Sequence, residues 1–168
     1  MSQRKCFEEV KIMEYLAHIE GERRQSVKDH LYGTAELAGN FAERFGKREW
    51  GYCCGMLHDI GKYSDAFQKR IQNNDNRMVD HATAGAKVCL DQGGYYCFLS
   101  YCIAGHHAGI PDYGNSSDSG SVGSLMGRRK KEIPDYLAYK KEIQIPQINT
   151  APFDPRQSVD PDFSLSFF

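Results

Sequence analysis

The stretch Gly55-Met56-Leu57-His58-Asp59-Ile60-Gly61-Lys62 decides how the rest of this sequence is interpreted. It places an imidazole beside a carboxylate, after an apolar segment and before a glycine. Adjacent side chains on a helix point about 100° apart, so both groups reach one site only near a helix end. Gly61 predicts that the helix ends here. A His-Asp pair is common by chance, and its meaning depends on the other histidines.

His30 lies on a predicted amphipathic helix. Apolar residues recur every three or four positions from Val27 to Phe45, with Ser26 as the expected N-cap and Gly46 just beyond the end. A lone histidine beside such an apolar stripe is usually a hydrogen-bonded core residue. The His-Asp pair downstream favours a second interpretation, in which His30 is a metal ligand.

More histidines stand at the starts or ends of predicted helices. His81 follows Asp80, the expected N-cap of a helix, and lies in its first turn. His106 and His107 follow Tyr95–Ala104, a nearly all-apolar segment that we expect to form a helix buried on every side. Buried imidazoles are costly unless they are paired or bound to something. We therefore expect this pair to bind a ligand.

Imidazoles and a carboxylate in such numbers form a metal-ligand set. The candidate ligands are His30, His58, Asp59, His81, His106 and His107. They suit Mn, Fe, Co, Ni or Zn better than Mg or Ca, which prefer oxygen ligands. They are too many for one catalytic ion that keeps a position open for water. We therefore predict two ions bridged by Asp59, the usual arrangement for phosphodiester hydrolysis.

Composition excludes several classes of protein. With 168 residues the chain has the size of one domain, and 21 basic against 22 acidic residues leave no large basic footprint for duplex DNA. No apolar run approaches the roughly 18–20 residues of a membrane span, and no signal peptide is recognised, so a cytoplasmic location is expected. Neither a G-x-x-x-x-G-K-[ST] phosphate loop nor a G-x-S-x-G nucleophile elbow occurs.

The cysteines, of which the chain has 6, invite a disulfide or zinc interpretation. Cys53 and Cys54 are adjacent, Cys89, Cys97 and Cys102 lie in apolar runs, and no C-x-x-C pair exists. Free thiols that are buried as small hydrophobic residues are the simpler expectation.

Other segments carry weaker signals. Cys6–Ile19 has some helical character, and His18 at its end is either a structural histidine or a group near the site. Lys62 is either a solvated lysine at a helix C-terminus, favoured by the helix dipole, or a cation for developing phosphate charge. The run Arg128-Arg129-Lys130-Lys131 is either a solvated face or a strip that steers a phosphate backbone. A further helix is expected over 134–143, because proline suits its first position.

Together these motifs resemble the HD nuclease domain of the CRISPR-associated nuclease–helicase of type I systems. The His-Asp pair alone indicates only the HD superfamily of metal-dependent phosphohydrolases, whereas the later motifs are more specific. In chain order the motifs are Asp29-His30-Leu31, Leu57-His58-Asp59-Ile60-Gly61-Lys62, Phe67-Gln68, His81-Ala82-Thr83-Ala84-Gly85-Ala86 and Gly105-His106-His107-Ala108-Gly109-Ile110-Pro111-Asp112.

The resemblance implies an all-α fold, an HD-domain helical bundle with a dinuclear metal site between helices. It implies endonuclease or exonuclease cleavage of single-stranded DNA by two-metal hydrolysis in CRISPR interference. The implied partners are single-stranded DNA, a helicase domain in the same or another chain and a guide-RNA surveillance complex. By position, His30, His58 and Asp59 would hold one ion, and Asp59, His81, His106 and His107 the other. Lys62 would contact the scissile phosphate or the nucleophile.

The sequence departs from the family pattern at its end. The family has a further metal-binding aspartate on a late helix, and nothing follows Phe168 here. We therefore expect residues 1–168 to be a single HD nuclease domain truncated before that helix and any helicase, with weakened activity. Two other functions stay open: an HD phosphohydrolase acting on nucleotides or cyclic dinucleotides, and a recruitment module that keeps only a structural metal.

Overall fold

The computed structural model describes residues 14–152, which form a helical bundle with one small β-hairpin. Within these residues, no helix combines the length and hydrophobicity that crossing a bilayer requires. The predicted all-α bundle is confirmed, with the hairpin as an addition. The elements are β1 (Leu16–Glu20), β2 (Arg23–Ser26), α1 (Val27–Glu43), α2 (Arg48–Leu57), α3 (Asp65–Gln72), α4 (Ala82–Gln92), α5 (Tyr96–Gly105) and α6 (Leu125–Lys130), with 3-10 helices at Ile60–Tyr63 and Leu137–Lys141.

The hairpin corrects the helix expected over Cys6–Ile19. Cys6–Met13 lie outside the described residues, and the part that follows is strand β1, which pairs antiparallel with β2. Gly21 opens the turn with a φ of 58°, a conformation that suits glycine. The Gln68 side chain also hydrogen-bonds the backbone N–H and C=O of Leu16, at 2.9 and 3.0 Å. The extended backbone of β1 is thus stabilised by hydrogen bonds to β2 and to Gln68, and the spacing of apolar residues does not predict either.

Helices α1 and α2 pack closely because a glycine lies between them. The start of α1 is as predicted, since the Ser26 hydroxyl accepts a hydrogen bond from Asp29 N at 3.0 Å. A Cβ atom on Gly55 of α2 would lie 2.6 Å from the Cα of Ala35 on α1. Only glycine permits this spacing, and it sets His30 of α1 opposite the end of α2.

Helix α4 begins beside the turn that follows α2. The Asp80 carboxylate accepts hydrogen bonds from Thr83 N at 3.1 Å and from the Thr83 hydroxyl at 2.8 Å, so Asp80 supplies the capping contacts of α4, while His81 holds the N-cap position. The helix itself begins at Ala82, and His81 therefore precedes it instead of lying in its first turn. This position leaves His81 free of the helical backbone pattern.

The burial expected for Tyr95–Ala104 is wrong. Leu99, Ser100 and Ile103 of α5 are buried, but Cys102 is exposed. Helix α5 packs on its neighbours through one face only, and its apolar composition conceals which face that is. The cysteines in the described part of the chain are all free thiols, and they differ in burial. Cys53 and Cys89 are buried, Cys54 and Cys97 are half-buried, and Cys102 is exposed.

The helix expected over 134–143 is also shorter than predicted. Only Leu137–Lys141 is helical, as a 3-10 turn. The Asp135 carboxylate accepts a hydrogen bond from Leu137 N at 2.8 Å, a local turn that competes with helical backbone pairing. Tyr139 and Ile143 are nevertheless buried, so this turn still contributes to the core.

Candidate metal centre

All the predicted ligands meet at one place in the bundle, where several helices begin or end. Near helix ends the backbone is no longer constrained by a full set of helical hydrogen bonds, so adjacent side chains can turn toward one point. The ligands come from α1 (His30), the residues after α2 (His58 and Asp59), the residue before α4 (His81) and the residues after α5 (His106 and His107).

Asp59 lies at the centre of this cluster and is only 3% exposed. Its Oδ2 atom is 3.0 Å from His30 Nε2 and 3.3 Å from His58 Nε2. The same oxygen is 2.9 Å from the ammonium group of Lys62. One side of the carboxylate therefore faces two imidazoles and a cation.

The other carboxylate oxygen, Asp59 Oδ1, is buried and has no hydrogen-bond partner within residues 14–152. His81 Nε2 and His106 Nε2 lie 3.4 and 3.3 Å from it. A buried carboxylate oxygen without a donor is costly, and native proteins seldom leave one. A cation held among these three atoms would satisfy it.

Backbone carbonyls fix the orientation of several imidazoles. A carbonyl oxygen only accepts, so each paired Nδ1 carries the hydrogen and each neutral ring presents the Nε2 lone pair to the centre. Metal-binding histidines are commonly oriented in this way. Asp59 Oδ1, His81 Nε2 and His106 Nε2 then converge with no hydrogen between them. The carbonyl pairs are His58 with Gly55 (2.7 Å), His81 with Val79 (3.0 Å) and His106 with Ile103 (2.7 Å).

The donor atoms form two overlapping groups, and within each group they lie within 4.8 Å of one another. Ligands about 2.0–2.2 Å from an ion lie at most roughly 4.4 Å apart, so small inward movements would complete either site. Asp59 belongs to both groups, which makes it the shared ligand. The groups are His30, His58 and Asp59, and Asp59, His81, His106 and His107.

Electrostatics keep most of these donors in metal-binding forms. Burial opposes ionisation of Asp59, but the surrounding imidazoles, His106 foremost, hold the pKa of its carboxyl well below its usual range. Burial lowers the pKa of His81 and of His107, which favours their neutral rings. Burial also acts on His106, but the Asp59 carboxylate outweighs it and raises the pKa of this ring. Ionised carboxylates and neutral imidazoles are the forms that bind divalent metals.

Lys62 and His18 lie beside the first donor group. Lys62 is 5% exposed, so it is not a solvated lysine, and its ammonium is 3.2 Å from His18 Nε2. The His18 ring meets the His30 ring edge-on at 4.9 Å between centroids. Burial and the Lys62 charge lower the pKa of His18, whose neutral ring accepts a hydrogen bond from Lys62. The sequence left the place of His18 open, because this segment was interpreted as a helix and not a strand.

Phe67 and Gln68 of α3 connect the hairpin to the cluster. The buried Gln68 amide donates hydrogen bonds to the backbone carbonyls of Leu16 at 3.0 Å and Lys62 at 2.7 Å. The Phe67 ring lies 5.4 Å from the His81 ring, and the Lys62 ammonium lies 5.6 Å from the Phe67 centroid. These residues therefore hold the cluster in shape from outside it.

The basic run at 128–131 is engaged within the protein, and only parts of it face a site. The guanidinium Nε of Arg128 is buried with no hydrogen-bond partner in the described part of the chain. The run as a whole is therefore neither a solvated face nor a strip of unpaired cations that steers a phosphate backbone. The partners are Thr83 for Arg128 (3.3 Å), Asp91 for Arg129 (3.8 Å), the carbonyls of Ser116 and Asp118 for Lys130, and Asp80 for Lys131 (2.6 Å).

An open cleft of about 640 Å³ reaches the donor groups from the side of the hairpin. His18, Lys62 and His107 line it, together with Arg24, Arg70 and one carboxylate, Asp75. Basic residues along a cleft attract an anionic substrate. Neither Arg24 nor Arg70 belongs to a sequence motif, so neither was predicted as a site residue.

Histidines and one shared carboxylate, gathered between the ends of packed helices, define a helical metal-binding protein. The family model described as the HD domain matches residues 27–143. The chain therefore belongs to the HD-domain family, whose members are metal-dependent phosphohydrolases, and the predicted HD superfamily is confirmed. No curated protein matches the chain significantly.

Proposed function

We propose that this protein is a metal-dependent phosphodiesterase that cleaves single-stranded DNA, acting in the cytoplasm in CRISPR interference. The observation that carries the proposal is the shared carboxylate, since each oxygen of Asp59 faces a different group of imidazoles. Two-ion sites of this kind suit displacement at a phosphodiester, because both the attacking and the leaving oxygen need charge stabilisation. A helicase domain and a guide-RNA surveillance complex are the proposed partners that would supply the single strand.

The donor groups fit two divalent ions, and their imidazole content favours Mn, Fe, Co, Ni or Zn. When bound, such ions supply activation of a water molecule and charge stabilisation at the phosphate oxygens. His58, His81 and His106 would bind through Nε2, held in place by their Nδ1 hydrogen bonds to backbone carbonyls. Asp59 would bridge the two groups.

Lys62 would add positive charge where the negative charge of the reacting phosphate grows. Its ammonium is buried and already oriented, by Asp59 Oδ2 at 2.9 Å and His18 Nε2 at 3.2 Å. A preorganised cation stabilises a transition state without the cost of reorienting at the moment of reaction. His18 acts in this proposal by holding Lys62 in position.

The cleft supports a single strand as substrate. It is open, and Arg24 and Arg70 add basic groups to its lining. A single strand needs a groove that follows its backbone and not the broad basic face that a duplex requires. The near-neutral charge of the chain fits this narrower requirement.

A phosphohydrolase acting on nucleotides or cyclic dinucleotides is the second candidate. It would use the same ligands, and a cleft of about 640 Å³ also accommodates a small nucleotide. A recruitment module that binds metal without hydrolysing anything is the third.

Cleavage of circular single-stranded DNA tests the proposal, because a circle offers no ends to other hydrolases. The assay adds Mn, Co or Ni and compares the parent chain with Asp59→Ala and with Asp91→Ala, a control at an exposed carboxylate. We expect the parent and the control to open the circle and Asp59→Ala to leave it intact. An intact circle together with hydrolysis of nucleotides or cyclic dinucleotides would establish the second candidate, and metal binding without hydrolysis would establish the third.

A further inference from the structure

A second pocket adjoins the donor groups, beyond the one that forms the cleft. It has a volume of about 590 Å³ and shares His81 and His107 with the cleft. Its other walls come from the segment before α4, the end of α5 and the basic run. The apolar part of the lining is Met78, Val79, Ala82, Ala104 and Ala108.

The polar side of this pocket offers an unsatisfied donor. Lys131 is paired with Asp80 at 2.6 Å, so these two charges offset each other. Within residues 14–152, Arg128 forms no ion pair, and its buried Nε has no acceptor. The Arg128 guanidinium lines the pocket and makes one hydrogen bond, to the Thr83 hydroxyl at 3.3 Å, so it keeps N–H groups with which to donate to a ligand. The pocket is thus apolar with one directed cationic donor.

The mouth of the pocket carries apolar surface that nothing in the described chain covers. Met78 lines the pocket and is 98% exposed, and Ala108 on the opposite segment is exposed as well. Because His81 and His107 are shared with the metal centre, an occupant of the pocket lies next to any group held there. The occupant is therefore best understood as part of the same molecule as that group.

We infer that the pocket binds one nucleobase of the substrate, next to the phosphate held at the metal centre; this inference rests on the proposed function. The apolar walls take the face of the base, and Arg128 donates a hydrogen bond to a ring nitrogen or carbonyl oxygen at its edge. A volume of about 590 Å³ suits a ligand of this size. Small apolar walls and a single donor discriminate little between bases, so the pocket recognises a base without selecting a sequence.

Calorimetry with the metal-loaded protein tests the inference without relying on catalysis. Mn-loaded protein is titrated with deoxyadenosine 5′-monophosphate and, separately, with 2-deoxyribose 5-phosphate, which lacks the base. Contact with one base is worth about 1–3 kcal/mol, so the mononucleotide is expected to bind about tenfold more tightly. Ala108→Phe, which fills the mouth, and Arg128→Met, which removes the donor but keeps the stem, are each expected to abolish this preference.

Arg129→Met is the matched control, because Arg129 is adjacent to Arg128 but does not line the pocket. It is expected to keep the tenfold preference. Equal affinities for the two compounds in the parent, a preference that survives both pocket variants, or an equal loss in Arg129→Met would each overturn the inference. Binding of neither compound would overturn it together with the proposed function. A preserved base preference without cleavage of circular DNA would count against the nuclease alone and would support the pocket.

Discussion

Gly61 and His81 are in such close backbone contact that a Cβ atom on Gly61 would lie 2.6 Å from the His81 Cα. This contact determines where His81 stands relative to Asp59, because Gly61 follows Asp59 by two residues in a rigid 3-10 turn. The prediction that Gly61 ends the helix is wrong, because α2 ends at Leu57 and Gly61 lies within the 3-10 turn that follows. The glycine is needed for its close contact with His81.

Gly61→Ala is expected to displace His81 and weaken the second donor group. The free energy of unfolding should fall by about 1–3 kcal/mol, because an added methyl group meets backbone that cannot move aside easily. Affinity for Mn, measured by calorimetry, should fall at least tenfold. Gly33→Ala on α1 is the control, since nothing lies within 4 Å of the added atom, and alanine there should raise stability slightly. Unchanged Mn affinity in Gly61→Ala would contradict this account of the contact.

Metal should stabilise the fold through Asp59. At a metal concentration about 100 times the dissociation constant, binding contributes about 2.7 kcal/mol, and Tm should rise by roughly 5–10 °C. Asp59→Asn should lose most of this rise, because it removes the charge shared by both groups. Differential scanning fluorimetry with and without Mn, after treatment with a chelator, measures the effect. Asp91→Asn should respond like the parent chain, and an undiminished rise in Asp59→Asn would show that the metal binds elsewhere.

Gln68→Leu should detach the hairpin from the bundle. The amide makes hydrogen bonds with the backbone of Leu16 and Lys62 while buried, so its loss leaves buried polar groups without partners. We expect a loss of about 2–4 kcal/mol in the free energy of unfolding and faster hydrogen exchange at Leu16 N. Gln72→Leu, at an exposed position on the same helix, should change neither. Exchange at Leu16 that stays as slow as in the parent would mean that the β1–β2 pairing suffices without Gln68.

Protonation of Glu49 at low pH should weaken the hydrogen bonds that hold the segment at 149–150 to α2. Its carboxylate accepts hydrogen bonds from Asn149 N at 3.0 Å and Thr150 N at 2.6 Å. Slight burial opposes ionisation, but the bonds from Thr150 outweigh it and lower the pKa of Glu49. A lowered pKa in the folded state means that this stabilisation is present above the unfolded pKa, near 4.3, and is lost as the pH falls through the folded value.

Glu49→Gln should therefore cost about 0.5–1 kcal/mol at pH 7 and progressively less as the pH falls below about 4.3. Urea unfolding followed by the fluorescence of Trp50, whose ring N–H donates to the Thr150 carbonyl at 3.1 Å, measures this cost at each pH. Glu43→Gln, at an exposed position of α1, is the control. A difference between parent and Glu49→Gln that does not shrink with falling pH would contradict the assignment.

Local chemistry made much of the fold predictable. Ser26 was expected as an N-cap, and its hydroxyl accepts the hydrogen bond from the backbone N–H three residues later. The candidate ligands were likewise recognisable, because histidines at helix ends beside a His-Asp pair suggest a shared centre. The structure brings them together, and their binding of metal remains a prediction.

What the sequence did not reveal depends on contacts between distant segments. The strand at Leu16 needs the Gln68 amide, which lies 52 positions away. The burial of α5 depends on which of its apolar faces meets α2 and α4. Arg128 donates a hydrogen bond to the Thr83 hydroxyl, which lies 45 positions away in the chain. No local pattern around either residue predicts this contact.

The spacing of the donor groups along the chain has a consequence for how the centre assembles. His30 and His58 are 28 positions apart, and His81 and His107 are 26 apart. The first group thus closes a short loop, which costs little chain entropy, whereas the second group extends from Asp59 to His107. The first group draws all its ligands from residues 30–59, so its assembly requires no ligand from the segments around α4 and α5.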